Sequence, residues 1–166
     1  LPSKCGGCGS DKLSMLGFGT EQIEEELIKL FPKLAIARMD TDTMKSKNAF
    51  HNLISDFENR QVNILIGTQM VAKGLDFDNV GLVGVMQADQ LLNIPDFRAF
   101  EKAYQMLSQV SGRAGRKGKR GNVVIQTFQP NHWVIQQVVN QDFEAIYKNE
   151  ILERRNFNYP PFYKLI

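Results

Sequence analysis

The sequence predicts an α/β fold in which helices cover both faces of a mostly parallel sheet. Short apolar runs typical of strands alternate with amphipathic helical patterns, and short loops join them. The run at 80–85 is apolar without alternation, which is typical of a strand covered on both faces. The 166 residues, 43% of them hydrophobic and 23% charged, suffice for one ordinary domain with a single core.

The first half of the chain predicts strands and helices in alternation. A short apolar run at 13–18 precedes a helical pattern that begins at Thr20 and ends before Pro32. A strand at 34–39 follows, and the polar segment 40–43 supplies capping oxygens for the next helix. The apolar positions of the two helices are Ile23, Leu27, Leu30 and Phe31 in the first, and Phe50, Leu53, Ile54 and Phe57 in the second.

The second half continues the alternation. Strands are predicted at 62–66, 80–85 and 121–128, and helical patterns run from 133 to 139 and from 142 to about 154. Between them, Asp96 is predicted to cap a helix. The inward face of that helix is formed by Phe97, Phe100, Ala103, Leu107 and Val110.

Composition excludes some classes of protein and leaves others open. No run of about 18 apolar residues occurs, so we expect no membrane span, and the first residues do not resemble a secretory signal. The formal net charge is +2, which neither requires nor forbids a nucleic-acid partner.

The two cysteines form a C-x-x-C motif, Cys5 and Cys8, with glycines between and after them. A single pair cannot form a disulfide framework. The motif favours half of a Zn²⁺ site, because zinc needs four ligands and the two histidines lie far away in sequence, in segments that are predicted to be helical. A redox C-x-x-C is the alternative, although such a motif normally follows a strand and begins a helix.

Two glycine-containing segments after predicted strands could bind phosphate. Ligands of open α/β sheets lie at the carboxyl ends of strands. The segment 17–22 lacks the third glycine of a dinucleotide-binding fingerprint, but Thr20 at a helix N-terminus could hold one phosphate, or could be an ordinary cap. In 67–77, two glycines flank a polar turn that contains Thr68, and Asp76 follows the second, Gly74; a plain connecting loop would look similar.

The most specific local signal is Q-x-x-G-R-x-G-R at 109–116, followed by a basic stretch to Arg120. Arg113 and Arg116 are three residues apart, so on a helical turn their side chains project from one face. Paired guanidinium groups beside glycines suit a phosphoryl group. Gln109 is a neutral polar residue at the end of an otherwise apolar face, which argues against a merely solvated basic loop.

Taken together, the glycine–threonine loop and Q-x-x-G-R-x-G-R resemble motifs V and VI of superfamily 2 helicases, which lie in the second RecA-like lobe. Further segments narrow the resemblance to the bacterial PriA (primosomal protein N′) family of DNA helicases. These segments are 17–21, 38–43, 95–101, 150–155 and 159–162, so that the resemblance covers essentially the whole chain. Ser111, where the family more often has alanine, is a mild departure.

The resemblance implies an ATP-dependent 3′→5′ DNA helicase that acts at stalled replication forks in the bacterial cytoplasm. No G-x-x-x-x-G-K-[ST] occurs, so we expect the first lobe, which would bind the phosphates of ATP and Mg²⁺, to lie outside this chain. Carried over by motif position, Arg116 is the expected arginine finger and Arg113 its partner on the γ-phosphate. Gln109 would sense the γ-phosphate or position the attacking water.

The resemblance also implies sites for nucleotide, DNA and zinc. Gly74 and Asp76 would line the nucleotide side of the cleft between the lobes and couple it to DNA. The DNA backbone would be contacted by Thr68, Gln69 and the helix terminus at Thr20. The implied organisation is the end of a cysteine-rich zinc module at 1–12, containing Cys5 and Cys8, a RecA-like lobe at 13–156 and the start of a truncated C-terminal domain at 157–166.

The implied partners are forked or single-stranded DNA, the first lobe of the same protein, and other primosome and replication-restart proteins, without a membrane. Two alternatives remain open. The chain could be the same lobe of another superfamily 2 translocase, acting on RNA for example, although the cysteine pair and the segment 159–161 argue against that. It could also be a non-enzymatic nucleic-acid-binding module that uses the basic stretch 113–120.

Overall fold

The computed structural model describes residues 7–10, 19–40, 47–68, 80–114 and 121–164. The chain forms two compact units, Leu1–Thr68 and Gln69–Ile166. Among the described residues, each unit contains a two-stranded parallel sheet with helices. The predicted α/β class and the predicted parallel pairing of strands are confirmed.

The first unit contains α1 (Thr20–Leu30), β1 (Ile36–Met39), α2 (Lys47–Glu58) and β2 (Ile64–Gly67). The two strands pair in parallel with Ile36 opposite Ile64 and Met39 opposite Gly67, and α1 packs against both of them. Parallel strands need a crossover connection, which α2 supplies here. The predicted run at 13–18 and the predicted capping residues 41–43 lie outside the described residues.

The second unit contains β3 (Leu82–Val85), α3 (Asp89–Leu92), α4 (Ala99–Ser111), β4 (Asn122–Ile125), α5 (Trp133–Asn140) and α6 (Phe143–Asn156). β3 and β4 pair in parallel, with Leu82 opposite Asn122 and Val85 opposite Ile125. α4 packs against α3, α5, α6 and β3, so it is central among the described helices of this unit.

The core of the second unit forms where α4, α5 and α6 meet. Its buried side chains come from each of the described helices of the unit, and Phe100 and Trp133 pack at its margin with their rings 5.5 Å apart and nearly perpendicular. The predicted inward residues Ala103 and Leu107 are confirmed as core. The buried residues of this core are Ala88, Leu92, Ala103, Tyr104, Leu107, Val134, Ile135, Val138 and Ile146.

Three sequence predictions are wrong in detail. β3 is not covered on both faces, because Leu82 is 62% exposed and burial alternates along the strand. In α1, Leu30 is 68% exposed, whereas Ile23 and Leu27 are half-buried. Asp96 does not cap α4. The N-cap residue is Arg98, and Asp96 Oδ1 accepts a hydrogen bond from the Arg98 amide in the turn before the helix, at 2.8 Å.

Within the described ranges, none of the helices has both the length and the apolar composition that a membrane crossing requires.

Candidate functional site

The C-terminal end of α4 carries the glutamine–arginine motif. Gln109 lies in the last turn of the helix and its side chain is exposed. The helix ends at Ser111, and its C-cap residue, Gly112, donates a backbone hydrogen bond to Ser108 O at 2.9 Å. The backbone then continues in a tight turn, because Arg113 N donates to Val110 O at 3.0 Å. The position of Arg113 relative to Gln109 is therefore fixed by the backbone.

Electrostatics also favour an arginine at this end of the helix. The last carbonyl groups of a helix carry a partial negative charge, which attracts a guanidinium. Arg113 is half-buried immediately after that end. Arg116 lies outside the described residues, so its position relative to Arg113 remains a prediction.

Gly112 does not need to be glycine for local reasons. Its φ of −67° and ψ of −6° are accessible to any residue. A Cβ at this position would lie 3.4 Å from Ser108 O and 3.6 Å from Gln109 O, which is ordinary contact. The described part of this unit would therefore accept alanine here.

In the first unit, the N-terminus of α1 is tied to the end of β1 by a polar cluster. Thr20 Oγ1 donates to Asp40 Oδ2 at 2.6 Å, and Asp40 is buried with only 7% of its surface exposed. Arg38 Nε lies 3.3 Å from the same carboxylate oxygen and 3.5 Å from Glu24 Oε2. Because the Thr20 hydroxyl donates its proton inside the unit, a phosphate at this helix end would rely on the backbone amides.

Thr68 lies at the same edge of the sheet as this cluster. It follows Gly67, which pairs with Met39, and Asp40 follows Met39. The carboxyl ends of β1 and β2 therefore bring the Thr20–Asp40 pair and the exposed Thr68 to one edge of the first unit. The predicted partners Gln69, Gly74 and Asp76 lie outside the described residues.

The cysteine pair is described only in part. Cys8 is an exposed free thiol, and Cys5 lies outside the described residues. In the ranges that the structure covers, no three residues among histidine, cysteine, aspartate and glutamate are grouped as metal ligands. The described residues therefore offer no complete tetrahedral set of zinc ligands, and the Zn²⁺ site at Cys5 and Cys8 stays a prediction.

Sequence reasoning missed a turn that is organised by Asp89. Its carboxylate accepts hydrogen bonds from Thr127 Oγ1 at 2.9 Å and from the Phe128 amide at 3.0 Å, so it holds the segment after β4. Burial raises the pKa of Asp89, but these hydrogen bonds and others from its own amide and from Gln129 outweigh burial and hold the pKa below its ordinary value of 3.8. No local pattern marks this contact, because 38 residues separate Asp89 from Thr127.

Sequence reasoning also missed an ion cluster between α4 and α6. A guanidinium nitrogen of Arg154 pairs with Glu101 Oε2 and lies 3.7 Å from Glu150 Oε2. Burial raises the pKa of Glu150 above its ordinary value of 4.5; Arg154 opposes this increase, while Glu153 and Glu101 add to it. Glu101 lies in segment 95–101, and Glu150 and Arg154 lie in segment 150–155. Both segments carried part of the family resemblance, and this was the one signal in the sequence that singled out these residues.

Comparison with known proteins identifies the class first. Residues 12–118 match the helicase conserved C-terminal domain family, and the chain belongs to that family. The end of α4 with Gln109 and Arg113 lies inside the matched region.

Individual proteins that are similar to this chain are replication restart proteins named PriA. The chain is 50% identical to PriA of Bacillus subtilis (strain 168) over 165 residues, 99% of this chain and 20% of that protein. It is 44% identical to PriA of a Synechocystis strain over 99% of this chain and 20% of that protein, and 39% identical to PriA of Borreliella burgdorferi over 99% and 24%. The chain thus spans about a fifth of the length of the first of these relatives, and the resemblance stated from the motifs is confirmed.

Proposed function

We propose that this chain is the second motor lobe of an ATP-dependent DNA helicase that acts in replication restart. The observation that carries the proposal is the end of α4, where Gln109 is exposed and the backbone fixes Arg113 nearby. The chain that contains this arrangement is 50% identical over 165 residues to a replication restart protein. The intact enzyme would translocate 3′→5′ along DNA.

In this proposal the chain supplies one wall of the site of ATP hydrolysis. The reaction transfers the γ-phosphoryl group to water and gives ADP and phosphate. Negative charge on the γ-phosphate oxygens would be stabilised by Arg113 and Arg116, and Gln109 would sense the γ-phosphate or orient the attacking water. The phosphate loop and the Mg²⁺ ligands would come from the first lobe, because the 166 residues contain no phosphate-loop motif.

Thr20 and Thr68 of the first unit, together with Gln69, would contact DNA. Thr68, Gln69 and the N-terminus of α1 at Thr20 would bind phosphates, which positions a strand without reading its sequence. The shared edge that holds Thr20 and Thr68 supports this assignment. Gly74 and Asp76 would line the nucleotide side of the cleft between the two lobes and couple it to DNA.

The test uses the intact protein and two substitutions of Arg116. Arg116→Ala should lower DNA-stimulated kcat by about 10³-fold or more and leave the Kd for ATP within a few-fold, because an arginine finger acts mainly on the transition state. Arg116→Lys should restore little, since a point charge cannot replace the planar guanidinium. Arg155→Ala is the matched control, because Arg155 is exposed on α6.

The outcomes separate the assignments. If lysine restores most of the rate, Arg116 provides only charge and Arg113 is the better candidate for the finger. If the intact protein unwinds RNA duplexes but not forked DNA, the proposal of a DNA helicase is wrong. This chain alone should hydrolyse no ATP, and DNA-stimulated turnover by the purified chain would contradict its assignment as half of a site.

A further inference from the structure

Arg154 joins three segments of the second unit. Its guanidinium pairs with Glu101 in α4 and with Glu150 one turn earlier in α6. The guanidinium carbon also lies 5.4 Å from the centre of the Phe97 ring, within range of a cation–π interaction. Tyr159 completes the group, which we name the Arg154 cluster: its ring stacks on Phe97 at 4.9 Å, and its amide donates to Arg154 O at 2.8 Å.

The charged groups of the Arg154 cluster are costly to bury. The Arg154 guanidinium pairs with two carboxylates, the Arg98 guanidinium carbon lies 5.3 Å from the centre of the Phe97 ring, and the side chains of Arg154 and Glu150 are only 16% and 6% exposed. Glu150 Oε1 and Arg154 Nε are buried and have no hydrogen-bond partner among the described residues. Buried ion pairs are often no more stabilising than apolar residues of similar size, because desolvation offsets their attraction. Net stability is therefore a weak explanation for this cluster.

The contacts of the Arg154 cluster involve the start of α4. The Phe97 ring and the Glu101 carboxylate hold the start of that helix against α6 and the segment at Tyr159. Apolar contacts through Ala103 and Leu107 hold its middle, but apolar contacts are not directional. A charged pair and stacked rings fix the rotation of a helix more narrowly.

The far end of α4 carries the candidate site. Gln109 lies eight residues after Glu101, about 12 Å along the axis at 1.5 Å per residue. Glu101 Oε1 also accepts a hydrogen bond from Gln105 Nε2 at 3.1 Å, and Gln105 is one turn before Gln109. A rotation or shift of the helix at Glu101 would therefore displace Gln109 and Arg113.

We infer that Arg154 is a positioning residue for ATP hydrolysis, which sets the placement of α4 and thereby of Gln109 and Arg113. The inference rests on the proposed function. It assigns to Arg154 no contact with the nucleotide: the residue acts through Glu101 and the helix. Small misplacements of a catalytic group can cost up to about 10²-fold in rate.

The test substitutes Arg154 in the intact protein. Arg154→Met keeps an unbranched stem but removes the guanidinium, and should lower DNA-stimulated kcat at least tenfold while the KM for ATP stays within about threefold. Arg154→Lys keeps the charge without the planar group and should remain at least threefold below the unsubstituted kcat. The matched control is Arg155→Met, an exposed neighbour on the same helix, which should stay within twofold.

A double-mutant cycle separates positioning from a general loss of stability. Because Arg154 is inferred to place Arg113 as well as Gln109, adding Arg154→Met to Gln109→Ala should lower kcat further, but by a smaller factor than the at least tenfold loss expected in the otherwise unsubstituted protein. Full additivity of the two losses, or an unchanged kcat in Arg154→Met, would overturn the inference. Melting temperatures are measured so that all rates refer to folded protein. If Arg154→Met does not fold, Glu101→Gln provides the same comparison, with at least a threefold loss expected and an unchanged kcat overturning the inference.

Failure of the inference can be distinguished from failure of the proposed function. If the unsubstituted intact protein hydrolyses no ATP in the presence of DNA, the proposed function is wrong. If it does and Arg116→Ala abolishes the activity while Arg154→Met leaves it unchanged, only the role of Arg154 is wrong.

Discussion

Glu150 is a buried carboxylate, with 5% of its surface exposed. It lies beside the guanidinium of Arg154, which also pairs with Glu101. Its pKa is raised mainly by burial, so the folded chain binds this proton more tightly than the unfolded chain does. The stability contributed by the bound proton is fully present below the ordinary pKa of 4.5 and is lost as pH rises through the raised value. Arg154 limits this effect, while Glu101 and Glu153 increase it.

We therefore predict that Glu150→Gln stabilises this chain more at high pH than at low pH. The amide keeps the shape of the side chain but carries no charge to bury. Thermal melts of both proteins between about pH 5 and about pH 8 should show a gap in Tm that widens with pH. Glu144→Gln, at an exposed carboxylate in the first turn of α6, should show a much smaller change. A gap in Tm that narrows as pH rises would contradict the prediction. It would show that Arg154 stabilises the ionised Glu150 carboxylate by more than burial destabilises it.

At this scale the sequence predicts placements that depend on neighbours in the chain. The closeness of Gln109 and Arg113 along the backbone could be predicted because one motif contains both, while their roles stay predictions. The pairing of Glu101 with Arg154 could not, because 53 residues separate them and no spacing rule connects such positions. The same holds for Thr20 and Asp40, 20 residues apart, since their contact depends on how α1 packs against β1.

Among the elements, the end of α4 offers a test that separates stability from activity. Gly112 has helical backbone angles and room for a methyl group. Gly112→Ala should therefore leave the stability of this chain unchanged or raise it by about 0.4–1 kcal/mol, through reduced freedom of the unfolded chain. In the intact protein the same substitution should lower DNA-stimulated kcat at least tenfold, because the methyl group would occupy space that a ligand or the first lobe approaches.

Melting temperature and kcat of the same variant are the two measurements. An alanine variant with unchanged kcat would show that no ligand approaches this backbone closely. A loss of stability would instead contradict the space that we find around Gly112.

Helices could be predicted more accurately than the exposure of strands. Apolar spacing located α1, α2, α4, α5 and α6, because each buries one face that recurs along the sequence. The prediction that β3 is covered on both faces was wrong at Leu82, because an apolar run does not reveal whether both faces of a strand are covered. The four-residue helix α3 was missed because it is too short to show periodicity.

For the whole molecule, the cysteine pair gives a prediction about metal content. Cys5 and Cys8 supply two of the four ligands that a closed zinc site needs. We predict that this chain alone contains substoichiometric, easily chelated zinc, and that its thermal melt is the same with and without EDTA. Elemental analysis and the paired melts provide the measurement. One tightly held zinc per chain would mean that two further ligands exist, or that two chains share a site.

The position of Trp133 has a practical consequence for following the unfolding of the whole chain. It is the single tryptophan in 166 residues, and it packs on Phe100 at the margin of the core of the second unit. Intrinsic tryptophan fluorescence will therefore report the environment of the unit Gln69–Ile166, while circular dichroism also records the helices of the unit Leu1–Thr68. Transitions that differ between the two signals would reveal an intermediate in which one unit is unfolded while the other remains intact.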